Sequence, residues 1–297
     1  MYSTKHAYLI IAHNNFSQLQ VLINLLDDER NDIYLHIDKK SHDFSPKDIK
    51  ASKSQLFFVK RMNVIWGGHS QIQCEMNLLK NAGAKHYHYY HLLSGVDLPL
   101  KTQDELHRFF NENDGKEFLA FDQAANESRD FLTRTQYFHL LRNFYGRQQG
   151  GFYDFLKFLE DKSIQIQRKL HLVRPEIIPL YKGPNWFSIT DNLAQYLLAN
   201  QKLIKKQFHY SLCGDEVFLH SIAMASPYRD NIAYTAMRAT DWTRGNPYTY
   251  RQEDVPELLS SRFLFGRKFD ENIDPVAINM ITDFLRQKQV SGEQSPA

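Results

Sequence analysis

The sequence predicts a layered α/β fold on a mostly parallel sheet. Three observations carry this. Continuous apolar runs such as residues 7–12 read as strands buried on both faces. Segments with helical spacing alternate with those runs, as in βαβ units. Polar groups then follow the runs, at His13-Asn14-Asn15, His36-Ile37-Asp38-Lys39 and Ser94-Gly95-Val96-Asp97, where an open α/β sheet binds its ligands.

Residues 7–12 are the first strand. Ser17 is the expected cap of the next helix, whose Leu19, Leu22, Ile23, Leu25 and Leu26 fall at helical spacing. Strands are predicted over 32–38 and 56–60. Ser70 opens a helix through Ile72, Met76 and Leu79 that closes at Gly83. A strand over 87–93 precedes a helix from Thr102, where Thr102-Gln103-Asp104-Glu105 has the capping-box form. A further strand is expected over 117–122. The stretch 123–174 is rich in Arg, Gln, Tyr and Phe and predicts two helices, 128–145 and 152–172, around a flexible run at 146–151. It reads as a helical insertion. Beyond it come a strand pair within 177–190, helices from Asp191 and Asp215, and an extended edge segment over 232–240. Asp274-Pro275 is a cap and first-turn pair for a last helix over 276–287. The expected organisation is one domain over 1–290, with the insertion at about 123–174, and a disordered tail over 291–297.

The 297 residues suffice for a substantial core without disulfides or metals. Lys and Arg total 36 against 34 Asp and Glu, and a net charge of +2 argues against a nucleic-acid partner. A hydrophobic share of 42% argues against a disordered acidic chain. No run approaches the ~18 apolar residues of a membrane span. Residues 7–12 are too short for a signal-peptide core. Cys74 and Cys213 are too few for a disulfide scaffold or a cysteine zinc site. A cytoplasmic protein is the expectation.

The chain has neither G-x-G-x-x-G nor G-x-x-x-x-G-K-[ST], which disfavours dehydrogenase and P-loop chemistry. Each polar strand end alone could be a solvated turn; three together favour a nucleotide or sugar cleft. On a strand His86 and His88 would face away from His91, so those histidines should not converge on a metal. No Asp-x-Asp pair is available to hold a cation on a diphosphate. A metal-free site without cofactor is therefore expected, with Arg or Lys balancing phosphate charge. In Cys213-Gly214-Asp215-Glu216-Val217-Phe218 adjacent acids open a helix. Favourable contact with the helix dipole explains Asp215. Glu216 is also a natural general base beside a sugar hydroxyl. Trp186 could stack on a sugar or serve packing alone.

Several pieces occur in a fixed order along nearly the whole chain. They are Tyr8-Leu9-Ile10-Ile11-Ala12-His13, His36-Ile37-Asp38-Lys39-Lys40-Ser41 and Trp66-Gly67-Gly68-His69-Ser70 leading into Gln73. Then come Ser94-Gly95-Val96-Asp97-Leu98-Pro99-Leu100, Gly183-Pro184-Asn185-Trp186-Phe187, Asp215-Glu216 and Arg267-Lys268-Phe269-Asp270. In these pieces the chain resembles the Core-2/I-branching enzyme family of glycosyltransferases, which includes the peptide O-xylosyltransferases. The Ser-Gly-x-Asp-Leu-Pro-Leu and Lys-Phe-Asp pieces are the specific ones.

The resemblance implies an inverting, metal-independent transferase of GT-A-like fold. Glu216 would be the base that deprotonates an acceptor hydroxyl. Lys268 and Arg251 would balance the UDP diphosphate, with Arg244 and Arg238 as substitutes for Arg251. His13 and Asp38 would contact the uridine, with Ser94, Gly95 and Asp97 at the donor. Trp186 and Asp215 would lie at the donor or acceptor sugar. GlcNAc is the favoured donor sugar; xylose, glucuronic acid or a galactose form are alternatives. The acceptor would be a glycan, such as a lipid-linked capsule or exopolysaccharide unit.

The chain departs from the family where Gly-Ser is usual and Gly183-Pro184 stands. Animal members carry an anchor and disulfides, so a bacterial-type member on a cytosolic membrane face is implied. Acceptor recognition is expected in the insertion, with Arg134, Tyr137 and His139 as candidates. The basic runs 202–206 and 286–288 are candidates for peripheral membrane contact, though such runs are commonly solvated helix faces. Two rivals stand beside this reading. One is a catalytically silent glycan- or nucleotide-binding protein of the same fold. The other is a glycoside hydrolase, which needs two carboxylates flanking one bond. Asp215 and Glu216 point about 100° apart on a helix and make a poor pair.

Overall fold

The computed structural model describes residues 4–293. Its strands are β1 (His6–Ala12), β2 (Asn31–Ile37), β3 (Gln55–Phe58), β4 (Tyr89–Ser94), β5 (Leu98–Pro99), β6 (Ser188–Thr190), β7 (Arg238–Thr240) and β8 (Phe265–Arg267). Five form the main sheet in the order β3-β2-β1-β4-β6, and β5-β8-β7 form a second, small sheet. Tyr8 pairs in parallel with Ile33 on one side and His91 on the other. β3 extends the sheet in parallel and β6 closes it antiparallel to β4. The layered, mostly parallel α/β class expected from the sequence is what the structure shows.

Helices cover both faces, which is why the central strands read as unbroken apolar runs. Tyr8, Ile10 and Ala12 point into a core shared with α1 (Phe16–Leu26) and α3 (Gln103–Glu112). Ala7 and Leu9 point into a second core shared with α2 (His69–Gly83). The capping box at Thr102 forms as predicted: Thr102 Oγ1 accepts from Glu105 N–H, and Glu105 Oε2 accepts from Thr102 N–H at 3.0 Å. Ser17 does not cap α1. Left-handed Asn15 precedes that helix, and the Ser17 hydroxyl donates to Glu271 instead.

The insertion is less helical than expected. The helix predicted over 128–145 is instead α4 (Gln123–Ser128), a 3₁₀ turn (Asp130–Arg134) and α5 (Arg142–Tyr145). Arg129 stops α4 in a left-handed conformation. The amides of Phe138 and Leu141 then find Gln167 Oε1 (2.8 Å) and Glu160 Oε2 (2.6 Å), so no helix is needed to satisfy them. Both acceptors lie on α6 (Gly151–Lys169), the second predicted helix.

The strand predicted over 117–122 reduces to bridges at Glu117 and Phe118. Of the pair within 177–190 only β6 is a strand. Residues 177–183 turn their amides to Gln207, Ser221 and the Glu216 carbonyl. These partners lie on α8 (Gln201–Phe208), which follows α7 (Asp191–Ala199), and on α9 (Asp215–Met224). Over 232–240 only β7 is extended, because Tyr234 and Met237 take positive φ. After α10 (Val255–Ser260), the last helix α11 (Pro275–Glu293) runs three residues into the segment expected to be disordered. Residues 294–297 lie outside the described chain.

Candidate active site

The second sheet builds one half of the site. Leu98 pairs with Gly266, so β8 returns Arg267 to the turn that ends β4. Arg267 Nη1 donates to Asp97 Oδ1 at 2.7 Å and to the Ser94 hydroxyl. Asp97 is 1% exposed and also accepts from Ser94 N–H (2.8 Å) and Oγ–H (2.7 Å). Gly95 makes this turn fit: a Cβ there would lie 2.8 Å from the Ala12 Cβ at the end of β1. His13 follows, its pKa lowered first by burial, with Lys40 and Arg267 lowering it further against the opposing pull of Asp38. Asp38 is buried and accepts from Lys40 N–H (2.9 Å) and Val64 N–H (3.3 Å). Asn15 donates to Asp270 at 3.0 Å, tying the end of β1 to the segment after Lys268. Lys268 adjoins Arg267 and has no ion-pair partner among the described residues.

The start of α9 builds the other half. Cys213 is left-handed and its N–H donates to Gly67 O (2.9 Å), which anchors α9 on the Trp66-Gly67-Gly68 loop. Glu216 is partly exposed. Its Oε2 accepts from Arg134 Nη1 at 2.9 Å and lies 3.8 Å from Lys182 Nζ. Lys182 also pairs with Asp122 at 2.6 Å. Asp215 is buried behind Glu216 and takes one hydrogen bond, from Gln71 Nε2 at 2.9 Å. It sits in the first turn of α9, as the sequence suggested, but buried.

One loop connects the halves. Gly183 N–H donates to Glu216 O (2.9 Å), Asn185 Nδ2 donates to Glu75 Oε1 (3.2 Å), and the Trp186 ring lies 4.1 Å from the Arg267 guanidinium. Gly183 admits no side chain, since a Cβ would meet Ala120 O at 2.1 Å and His220 Nε2 at 2.4 Å.

The remaining candidates separate. Arg251 donates to the Ile273 carbonyl (3.0 Å), not to the 94–97 turn. Arg244 is held by Asp241 and Asp254, and buried Arg238 clamps the carbonyls of Ala236, Leu92 and Phe187. In the insertion only Arg134 reaches the site; His139 faces Glu160 and Tyr137 lies under Arg168. Arg267, Lys182, Gln71 and Glu75 are the site residues that sequence reasoning missed. A concavity of about 590 Å³ between α10 and α11 is lined by none of these groups.

His88 and His91 do not face opposite ways. His88 precedes β4, and both rings approach His6, at 5.7 and 5.0 Å between centroids. Burial lowers the pKa values of His6 and His91. Among the described residues no three His, Cys, Asp or Glu side chains are placed to hold a metal ion.

Glu75 and Asp215 form a buried acidic pair with a stability consequence. Glu75 is 1% exposed; burial, then Asp215, pushes its carboxyl well up. Burial, then Glu216, raises Asp215 to about 7. Glu75 Oε2 and Asp215 Oδ1 have no hydrogen-bond partner. Below pH 4 both states of the chain hold these protons. As pH rises towards 7 the unfolded chain releases them first, so folding stability falls. Glu75→Gln is therefore expected to gain stability relative to the parent as pH rises from 4 to 7. Denaturant unfolding across that range checks it; parallel pH profiles would show that the pair is not coupled to folding.

A family model described as Core-2/I-Branching enzyme matches residues 6–263. A xylosyltransferase of Ciona intestinalis is 23% identical over 92% of this chain and 33% of its own length. Xylosyltransferase sqv-6 of Caenorhabditis briggsae is 24% identical over 82% of this chain and 32% of its own. The chain thus spans about a third of the length of the curated relatives it matches. The crystal structure of mouse xyloside xylosyltransferase 1, apo form, aligns with 88% of this chain and 97% of that one at 11% identity. Its TM-score of 0.37 is too low to carry an argument. With 6–263 matched by one family model, the chain belongs to the Core-2/I-branching enzyme family.

Proposed function

We propose that the chain is an inverting, metal-independent glycosyltransferase that moves a sugar from UDP to a hydroxyl of a glycan. Glu216 is the base. Its Oε2 is held by Arg134, which leaves Oε1 for the acceptor hydroxyl. The acceptor oxygen attacks the anomeric carbon from the face opposite UDP as its proton passes to Glu216. The bond to the diphosphate oxygen breaks, and UDP leaves with its charge balanced by cations. Arg267, beside Lys268 and at the 94–97 turn, suits that task better than Arg251, which donates to the Ile273 carbonyl away from that turn. In this reading His13 and Asp38 contact the uridine, and Trp186 contacts the donor or the acceptor sugar.

The observation that carries this reading is the 183–187 loop, which fixes Glu216 and Arg267 on one frame. A lone acid at a helix start would give little support to a transfer site; an acid tied through one loop to Arg267 gives more. UDP-GlcNAc and UDP-xylose are the first donors to test, the second because the named relatives are xylosyltransferases. Thermal shift with a panel of UDP-sugars, followed by UDP-release assays with and without EDTA, tests the proposal. One donor should stabilise the protein and release UDP equally with EDTA present. A strict Mn²⁺ requirement would reject the metal-free mechanism. No stabilisation by any uridine nucleotide would reject the donor site.

A further inference from the structure

Helix α6 buries two polar side chains and exposes a row of apolar ones. Its polar Glu160 and Gln167 are buried, where they serve the backbone and side chains of 138–145. Its apolar Phe152, Phe155, Leu159 and Ile166, with Leu170 just past its last residue, are exposed by 69, 54, 39, 55 and 62%. These five are spaced by three, four, seven and four residues, so they form one stripe along the whole helix. Nineteen residues give a ridge about 28 Å long. The apolar area is several hundred Å² at order of magnitude, a size that marks an interaction surface.

Charge identifies the occupant. Lys162 and Lys169 flank the stripe, and the Lys162 ammonium lies 5.4 Å from the exposed Phe158 ring. Lys157 and Arg168 are exposed too, against only Asp154 and Asp161 among the acids, since Glu160 is buried. The chain leaving α6 carries exposed Leu172 and Val173. Arg174 then donates to the carbonyls of Lys206 and Gln207, bringing the exposed Lys205 and Lys206 alongside. A convex apolar ridge with cations at its edges fits an in-plane helix at a lipid surface.

We propose that the outward face of α6 docks on an anionic membrane surface, with Phe152, Phe155 and Leu159 in the headgroup–acyl boundary and Lys162 and Lys169 at the lipid phosphates. The same insertion gives Arg134 to Glu216.

Sedimentation of the full chain tests it, using vesicles of phosphatidylcholine alone and vesicles with roughly one third phosphatidylglycerol. The parent should pellet with the mixed vesicles and far less with the neutral ones. Phe155→Ser/Leu159→Ser should weaken binding about tenfold or more. Lys162→Glu/Lys169→Glu should abolish the preference for anionic lipid, and both variants should keep the parent circular dichroism spectrum. No pelleting with either vesicle, or binding that ignores both variants, overturns the proposal. So does a concentration-dependent dimer that Phe155→Ser/Leu159→Ser dissolves without any vesicle binding, which would make the stripe a contact between copies.

Discussion

Glu216→Gln is expected to lower the rate of glycosyl transfer by about 10²- to 10⁴-fold, the range a positioned general base supplies. UDP affinity should remain nearly unchanged. The substitution keeps the side-chain length and leaves the Gly183 hydrogen bond to the residue 216 carbonyl untouched. It removes the basic carboxylate and, with it, the charged partner of Arg134 and Lys182. Both cations remain near solvent, so the lost pairing costs little stability. Turnover at the parent rate would show that Glu216 is not the base. Loss of UDP binding in step with activity would show that it supports the site rather than the proton transfer.

The parts of the fold legible in the sequence are those whose burial is local and repetitive. β1, β2 and β4 are buried along both faces, and their apolar runs announce this without any knowledge of their partners. The box at Thr102 is legible because both members lie three residues apart. β5 and β8 are two and three residues long and exist only through distant pairing, Leu98 with Gly266 and Ala239 with Gly266, so no local pattern marks them. The predicted helix over 128–145 failed because α6 side chains satisfy amides that a helix would otherwise pair.

The site divides in the same way. The strand-end residues and Glu216 are legible because they sit on motifs. Arg267 stood inside one of those motifs, beside Lys268, yet its role depends on the unseen β5–β8 pairing. Glu75 left a fainter signal: an acid between Ile72, Met76 and Leu79 on the apolar side of α2. The burial of Glu160 and Gln167 on α6 was invisible, because periodicity shows that a helix is amphipathic and not which side chains face in.

Arg267→Ala is expected to weaken UDP binding by about 10- to 100-fold, the loss of one charge-assisted contact. Arg251→Ala should leave it close to the parent, since that guanidinium is spent on the Ile273 carbonyl. Arg267→Ala should also destabilise the protein. Asp97 is 1% exposed, and without the guanidinium its charge keeps only the two Ser94 donors. Breaking a buried pair from one side costs about 3–5 kcal/mol, much of it the penalty of the stranded charge. Adding Asp97→Asn removes that charge while keeping an oxygen to accept from Ser94. The double variant should therefore recover most of the melting temperature and none of the UDP affinity. This split separates a group that touches the diphosphate from one that only neutralises Asp97. If the double variant bound UDP like the parent, Arg267 would be structural and the diphosphate cations would have to be sought elsewhere.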